Sequence, residues 1–375
     1  MRVSLFLDHA CNLRCTYCYN GRAFRRTMPW EVAERGIALA LDGPGPRRVS
    51  FFGGEPLLRW DLVVRCLDHA AVEAARRGVA VEHVIVTNGT LLDGHRLEAL
   101  LCREVFVAVS VDGDATAHDA ARRTARGGPT WARVARNVRP LLAARPGSKV
   151  IAVVHPGNVD RLAESFEALL DLGARNLSMN LDYGADWDEA ARDRFVAALA
   201  RLGERYVEAY RAGRIFSLNL LDSKIVTWVK GGFSSADRCD FGCLEVAVSP
   251  TGRLYPCDRL VGRDDREDVV IGDVWRGVDA ARRDALVAAK NAVLAGCEGC
   301  ALLPRCMHWC GCVNHAMTGQ VGEVSGLLCW FEQRIVEEAD HAATVLDAED
   351  NVTFHRRFYL PRLVRSGTGR QVPGR

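Results

Sequence analysis

Short runs of β-branched and apolar residues alternate along this chain with longer stretches whose apolar positions recur every three or four residues. The runs fall at 3–7, 48–52, 82–86, 106–110, 149–154 and 176–181, and each has the length and composition of a strand. The stretches, at about 29–41, 60–77, 92–102, 130–144, 158–172 and 188–212, have the helical period. Asp61 stands in a first turn, where an acid suits the dipole, and Gly78 stands where a helix-ending glycine belongs. Strands alternating with helices imply right-handed βαβ units and a parallel sheet. Six units are too few to close an eight-stranded barrel of about 250 residues. Ligands of such sheets sit at the carboxyl ends of the strands, so chemistry is expected just after each run.

The loop after the first run reads Cys11-Asn-Leu-Arg-Cys15-Thr-Tyr17-Cys18. Structural zinc wants four closed ligands, and this loop supplies three. Iron–sulfur cubes are usually held by four cysteines, so three protein thiolates leave one iron open for a substrate or cosubstrate. Composition narrows the class further. The 375 residues are 49% hydrophobic with a formal net charge of +2, which fits a soluble, cytoplasmic, two- or three-domain protein without a membrane span. Lysine occurs only at 149, 224, 230 and 290, and the arginines are scattered among acids. That is a compositional bias rather than a nucleic-acid surface. Fourteen cysteines with no signal peptide point to metal or catalysis rather than to disulfides.

The later loops extend the pattern. Phe52-Gly53-Gly54-Glu55-Pro56 follows the second run, Thr87-Asn88-Gly89 the third, and Ser110-Val-Asp112-Gly113 the fourth, with His118-Asp119-Ala-Ala-Arg122 soon after. With the cysteine spacing, these resemble the radical S-adenosylmethionine (SAM) superfamily. The resemblance implies an α/β fold, a partial (β/α)6 TIM barrel, in which SAM chelates the open iron of a [4Fe–4S] cluster. It implies that Tyr17 lies beside the adenine. Gly53, Gly54 and Glu55 would hold the SAM amino group, Ser110 and Arg122 its carboxylate, and Leu181 would touch the adenine. An arginine fork suits a carboxylate well, although Arg123 is an alternative to Arg122. The plain alternative for the glycines is a tight turn closed by proline.

A second cysteine field runs Cys239-x3-Cys243, Gly252-x4-Cys257, Cys297-x2-Cys300-x5-Cys306-x3-Cys310 and Cys329. It resembles the SPASM domain, a small cysteine-rich module with two auxiliary clusters. By that resemblance Cys239, Cys243, Cys257 and Cys310 hold one [4Fe–4S] cluster, and Cys297, Cys300, Cys306 and Cys329 hold another, making three in all. Two four-cysteine zinc sites are the rival reading. Residues 245–249 and 253–256 read as a β-hairpin around Pro250-Thr-Gly252. Cys312 is spare, free to replace a ligand, stay inert or react. Cys66 and Cys102 read as small hydrophobes inside helices. Asp258, directly after Cys257, matches the position of the proposed base in sulfatase-maturing relatives. Alternatively it caps a turn or pairs with Arg259.

The chain accordingly divides into a barrel (1–213), a linker (214–236), a SPASM domain (237–335), and a C-terminal helix with a basic tail (336–375). From 354 onward the tail carries six arginines and no acid, and reads as partly disordered. The resemblance implies a peptide or protein maturase that cleaves SAM, abstracts a hydrogen atom and forms a thioether or carbon-linked product. An anaerobic sulfatase maturase and a small-molecule dehydrogenase are the alternatives, and a non-catalytic metal protein the last. Expected partners are a peptide or protein substrate and a reductant such as flavodoxin or ferredoxin, with no nucleic acid and no membrane. The first strand begins near Val3, so no leader-gripping module is expected ahead of it. A leader would need a separate recognition protein, the C-terminal tail, or would not exist.

Overall fold

The computed structural model describes residues 1–21 and 23–360. Strands β1 (Arg2–Phe6), β2 (Arg48–Phe52), β3 (Glu82–Thr87), β4 (Phe106–Ser110), β5 (Lys149–Val154) and β6 (Asn176–Leu181) lie side by side in chain order, each neighbouring pair parallel. Beyond β6 lies the short β7 (Ser217–Leu218). At the opposite edge β8 (Glu245–Val248) pairs parallel with β1 and turns back into β9 (Leu254–Tyr255). The sheet runs β7-β6-β5-β4-β3-β2-β1-β8-β9 and stays open, a partial barrel as expected. The predicted hairpin is therefore part of the barrel's own sheet.

The connecting helices are α1 (Trp30–Asp42), α2 (Trp60–Arg77), α3 (Gly94–Cys102), α4 (Ala115–Ala121), α5 (Trp131–Ala144), α6 (Leu162–Asp171) and α7 (Glu189–Arg211). Gly78 ends α2 at φ +63, the left-handed conformation that glycine adopts without a Cβ penalty. After the barrel come α8 (Asn219–Lys230), α9 (Ala280–Asn291), α10 (Gly311–Thr318), α11 (Gly326–Ala348) and α12 (Val352–Phe358). Among the described residues no helix is long and apolar enough to cross a membrane.

Two expectations are corrected. The segment expected as a linker, 214–236, holds β7 and α8, because Leu220, Leu221 and Ile225 bury against the barrel and α11. The tail expected to be partly disordered from 354 begins as α12. Phe354 and Phe358 pack on Tyr210, and Arg357 reaches Asp222 at 2.5 Å. Residues 361–375 of that tail lie outside the described residues.

Strand registers place the chemistry. In β5 and β6 buried positions alternate with half-buried ones, so one face packs on helices and the other lines the open side of the barrel. β1 is buried on both faces: Leu5 joins the barrel core, and Phe6 joins a second core with Phe241, Ala247 and Tyr255. Aromatic edges dock α11 on α7, with Phe331 at 5.1 Å from both Phe195 and Trp187. Beside them lies a fully buried ion pair, Lys224 Nζ to Glu332 Oε2 at 2.6 Å. Lys224 also donates to the Arg305 carbonyl, and Glu332 accepts from Met307 N. The pair thus pins the segment that carries Cys306.

Removing one member of a buried pair strands the other charge, at a cost of about 3–5 kcal/mol. Glu332→Ala should therefore lower the thermal unfolding midpoint by several degrees. Glu332→Gln combined with Lys224→Met should recover most of that loss. A Glu332→Ala midpoint equal to wild type would show that the pair does not hold the two helices.

Candidate functional site

The loop after β1 is built around Asp8. Its buried carboxylate accepts from Ala10 N at 2.8 Å, Arg26 N at 3.2 Å and Thr27 Oγ1 at 2.6 Å, and pairs with Arg59. Burial is the largest single effect and would raise the Asp8 carboxyl, but these bonds together outweigh it and hold Asp8 below the ordinary carboxylate range. The loop then carries Cys11, Cys15 and Cys18 round one cavity of about 340 Å³, with His9, Asn20 and Gly54 in its wall. Among the described residues no three His, Cys, Asp or Glu side chains converge on one point, as a single-ion site would have them. A cube gives each thiolate its own iron and asks for sulfurs spread round a cavity, which this loop supplies. Cys11 Sγ accepts from Leu13 N at 3.4 Å and Asn88 Nδ2 at 3.8 Å. Burial pushes its thiol up to about 12, so the thiolate needs a bound cation.

The Gly-Gly-Glu turn is strapped to this loop. Gly54 N donates to Asp8 O at 2.8 Å, and Glu55 N to Ala10 O at 2.9 Å. A Cβ at 54 would lie 2.2 Å from the Ala10 carbonyl oxygen, and one at 53, where φ is +134, 2.6 Å from that of Asp8. The glycines thus admit the cysteine loop's own backbone, a requirement the sequence reading had assigned to a ligand. Glu55 is buried, and accepts from Thr87 Oγ1, Asn88 N and Leu57 N at 2.7, 2.7 and 3.0 Å. It ties the ends of β2 and β3 together.

Arg122 is buried, 3.0 Å from Asp112, while Arg123 is exposed and bonds Gly127 O. Of the two arginines, only Arg122 faces the site. Tyr17 donates its hydroxyl to Asp112 and lies between the Arg122 guanidinium, 5.3 Å from its ring, and His155, at 5.5 Å. Asp112 also accepts from Val153 N. Ser110 ends β4 and is half-buried. Leu181 is in register with Leu177 and Met179 on the buried face of β6, so it is turned into the core. Asn180 and Asp182, on either side of it, are half-buried.

Cysteines of the second half gather unevenly. Cys310 and Cys312 lie 3.6 Å apart, and Cys257 contacts Cys312. Cys239 feels the charge of Cys310. Cys297, Cys300 and Cys329 form another electrostatic group. Cys243 is exposed and lies beside Arg283 of α9, and Cys306 faces Glu332. Both ring nitrogens of His308 and Nε1 of Trp309 are buried without partners among the described residues. The indole N–H and the single N–H of a neutral imidazole are donors that fit cluster sulfurs, and they lie between Cys306 and Cys310. Cys66 is buried as expected, but Cys102 ends α3 on its outer side and is exposed.

Asp258 follows Cys257 in a short 3₁₀ turn, where burial raises its carboxyl against the pull of Arg259. Arg259 lies 5.6 Å from the ring of Tyr19, in the cysteine loop. The two cysteine fields thus meet across Tyr19. Sequence reasoning missed Tyr19, His155 and Asp182, and read Arg259 only as a pairing partner of Asp258. The only signal for them was their position just after a proposed ligand or a strand.

Residues 7–173 match the family model described as the radical SAM superfamily. The chain is 25% identical to the serine-type anaerobic sulfatase-maturating enzyme of Klebsiella aerogenes over 80% of this chain and 77% of that one. It is 26% identical to the PqqA peptide cyclase of Gluconobacter oxydans over 94% and 96%. A solved structure of anSMEcpe with bound AdoMet and the Cp18Cys peptide superimposes with a TM-score of 0.79 at 19% identity, covering 93% of this chain and 99% of that one.

Two substitutions test this geometry. Gly54→Ala should push the cysteine loop off the Gly-Gly-Glu turn, so the reconstituted variant should lose the iron bound there; wild-type iron content would refute the close-packing argument. His118 accepts from Asp112 N through Nδ1, so its proton sits on Nε2, 3.1 Å from Thr130 Oγ1. Burial lowers its pKa to about 4, against roughly 6.5 in an unfolded chain. As pH falls below 6.5 the unfolded chain takes up this proton first. The stability it gives is full above that pH and is lost towards pH 4, by at most about 1.4 kcal/mol per unit. Unfolding of His118→Gln should show a shallower fall between pH 7 and 5 than wild type.

Proposed function

We propose that this radical SAM enzyme abstracts a hydrogen atom from a residue of a bound peptide or protein and directs its oxidation to a thioether, a carbon-linked bond or a related product. The observation that carries the reading is the meeting, across Tyr19, of a three-cysteine cavity with Asp258, an acid on the flank of the second cysteine field. The relatives named above, a sulfatase-maturating enzyme and a peptide cyclase, support a peptide substrate. The cofactor set is SAM with three [4Fe–4S] clusters. Cys11, Cys15 and Cys18 hold the SAM-binding one; Cys239, Cys243, Cys257 and Cys310, then Cys297, Cys300, Cys306 and Cys329, hold the two auxiliary ones. When bound, SAM and the first of these supply a 5′-deoxyadenosyl radical.

The chain's own residues orient and protect. Arg122 shares its guanidinium between Asp112 and the SAM carboxylate, with Ser110 beside it. Gly53, Gly54 and Glu55 keep the cysteine loop in register beside the SAM amino group. Tyr17, fixed by Asp112, walls the adenine side. Asp258 takes the proton that the substrate loses on oxidation; burial makes it a stronger base than an exposed aspartate. Electrons come from a reductant such as flavodoxin or ferredoxin. The match to the serine-type maturase favours formylglycine formation as the second reading.

Reconstituted protein should bind about twelve irons, four for each cube, and release 5′-deoxyadenosine from SAM when reduced. Cys15→Ala should abolish that release, and retained cleavage would sink the assignment. Asp258→Asn should still cleave SAM yet yield no modified peptide. Conversion of a sulfatase-derived serine peptide to formylglycine would establish the second reading.

A further inference from the structure

Two cations in the second half lack a carboxylate partner. Lys290, at the end of α9, is 3% exposed, yet its ammonium bonds only Asn291 Oδ1, at 3.0 Å, and makes no ion pair among the described residues. It lies 5.7 Å from the rings of Phe241 and Trp309. Its Cδ packs 3.2 Å from where a Cβ would stand on Gly311, the residue between Cys310 and Cys312. Arg259, half-buried two residues after Cys257, also makes no ion pair among the described residues. Asp258 and Asp182 lie only within its longer electrostatic reach. A buried cation without an anion is costly. Beyond these rings and Asn291, thiols lie within electrostatic reach of both: Cys239 of Lys290, and Cys257, Cys310 and Cys312 of Arg259. The other cysteine group differs. Its buried lysine, Lys224, is already neutralised by Glu332, and Glu332 faces Cys306.

We infer that Arg259 and Lys290 are positioning residues that hold the auxiliary cluster of Cys239, Cys243, Cys257 and Cys310 at a higher reduction potential than the cluster of Cys297, Cys300, Cys306 and Cys329. This rests on the proposed cluster content. A cluster ringed by thiolates is anionic and gains one more negative charge on reduction, which nearby cations stabilise. Oxidation of the substrate radical then balances. One electron passes to the oxidised cluster, taking it from 2+ to 1+, and one proton passes to Asp258. On this reading the cluster beside the two cations would be the favoured acceptor of that electron.

The test is a redox titration of the reconstituted holoenzyme followed by electron paramagnetic resonance. The signal lost in Cys239→Ala identifies the first auxiliary cluster. Wild type should reduce that cluster at a higher potential than the second. Arg259→Gln and Lys290→Met should each lower its midpoint, while Arg259→Lys and Lys290→Arg restore it. Glu332→Gln with Lys224→Met should leave it in place. Lys290→Met replaces a buried charge with an apolar chain of similar shape, and Arg259 is only half-buried, so both variants should fold. A midpoint unchanged in both variants, or a first cluster already below the second in wild type, would overturn the inference. Fewer than about twelve irons in wild type would instead overturn the cluster content it rests on.

Discussion

The parallel ladder between β1 and β8 is the constraint on which the rest of this molecule depends. Four residue pairs, Arg2 with Glu245 through Leu5 with Val248, join the first strand of the barrel to the first strand of the cysteine-rich half. Because β1 also pairs with β2, the loop that leaves its carboxyl end is fixed from both sides. That loop holds Cys11, Cys15 and Cys18, and the hairpin β8–β9 leads directly into Cys257 and Asp258. Secondary contacts reinforce the join: His9 Nε2 bonds Gly262 O at 3.1 Å, and Arg26 bonds Arg263 O at 3.2 Å. One sheet thus sets the separation between the open cysteine site and the groups expected to receive a proton and an electron.

Charge is arranged with equal economy. In the barrel the buried Arg122 has Asp112, and in α8 the buried Lys224 has Glu332. Across the ladder that pairing lapses at Arg259 and Lys290, where thiols take the acid's place. The contrast lies within one chain and one solvent, so it reflects local chemistry rather than composition. An arginine-rich surface would hide it, since its ion pairs are exposed and worth little.

Much of the barrel was legible in the sequence. The β-branched runs place β2, β4, β5 and β6 at their observed limits, because parallel strands covered by helices must be apolar. In the loop after β3 Asn88 bonds Cys11, and after β4 Asp112 pairs with Arg122. What stayed hidden depended on tertiary partners. The β1–β8 pairing joins strands more than 240 residues apart with no local signal. α8 reads as a linker because its buried positions face α11 and α12, not the sheet alone. Gly53 and Gly54 were legible as a turn or a ligand contact, but only coordinates show that the Asp8–Ala10 backbone packs against them. Leu181 fails for a simpler reason: strand alternation turns it into the core, with its neighbours on the open face.

Within one turn at the start of α11 stand Cys329, Trp330, Phe331 and Glu332. The two aromatic rings dock on α7, and the acid locks to α8. A prospective metal ligand therefore rides on a helix that apolar packing has already seated. Assembly can then proceed in order, with the barrel and α11 forming a template before iron arrives. Part of the cost of arranging the thiolate is met by burying aromatic surface on the far side of the same helix. With Cys329 as a cluster ligand, as proposed, iron loading would inherit its geometry from the barrel, and damage to that aromatic seam would show first as a poorly metallated protein rather than as an unfolded one.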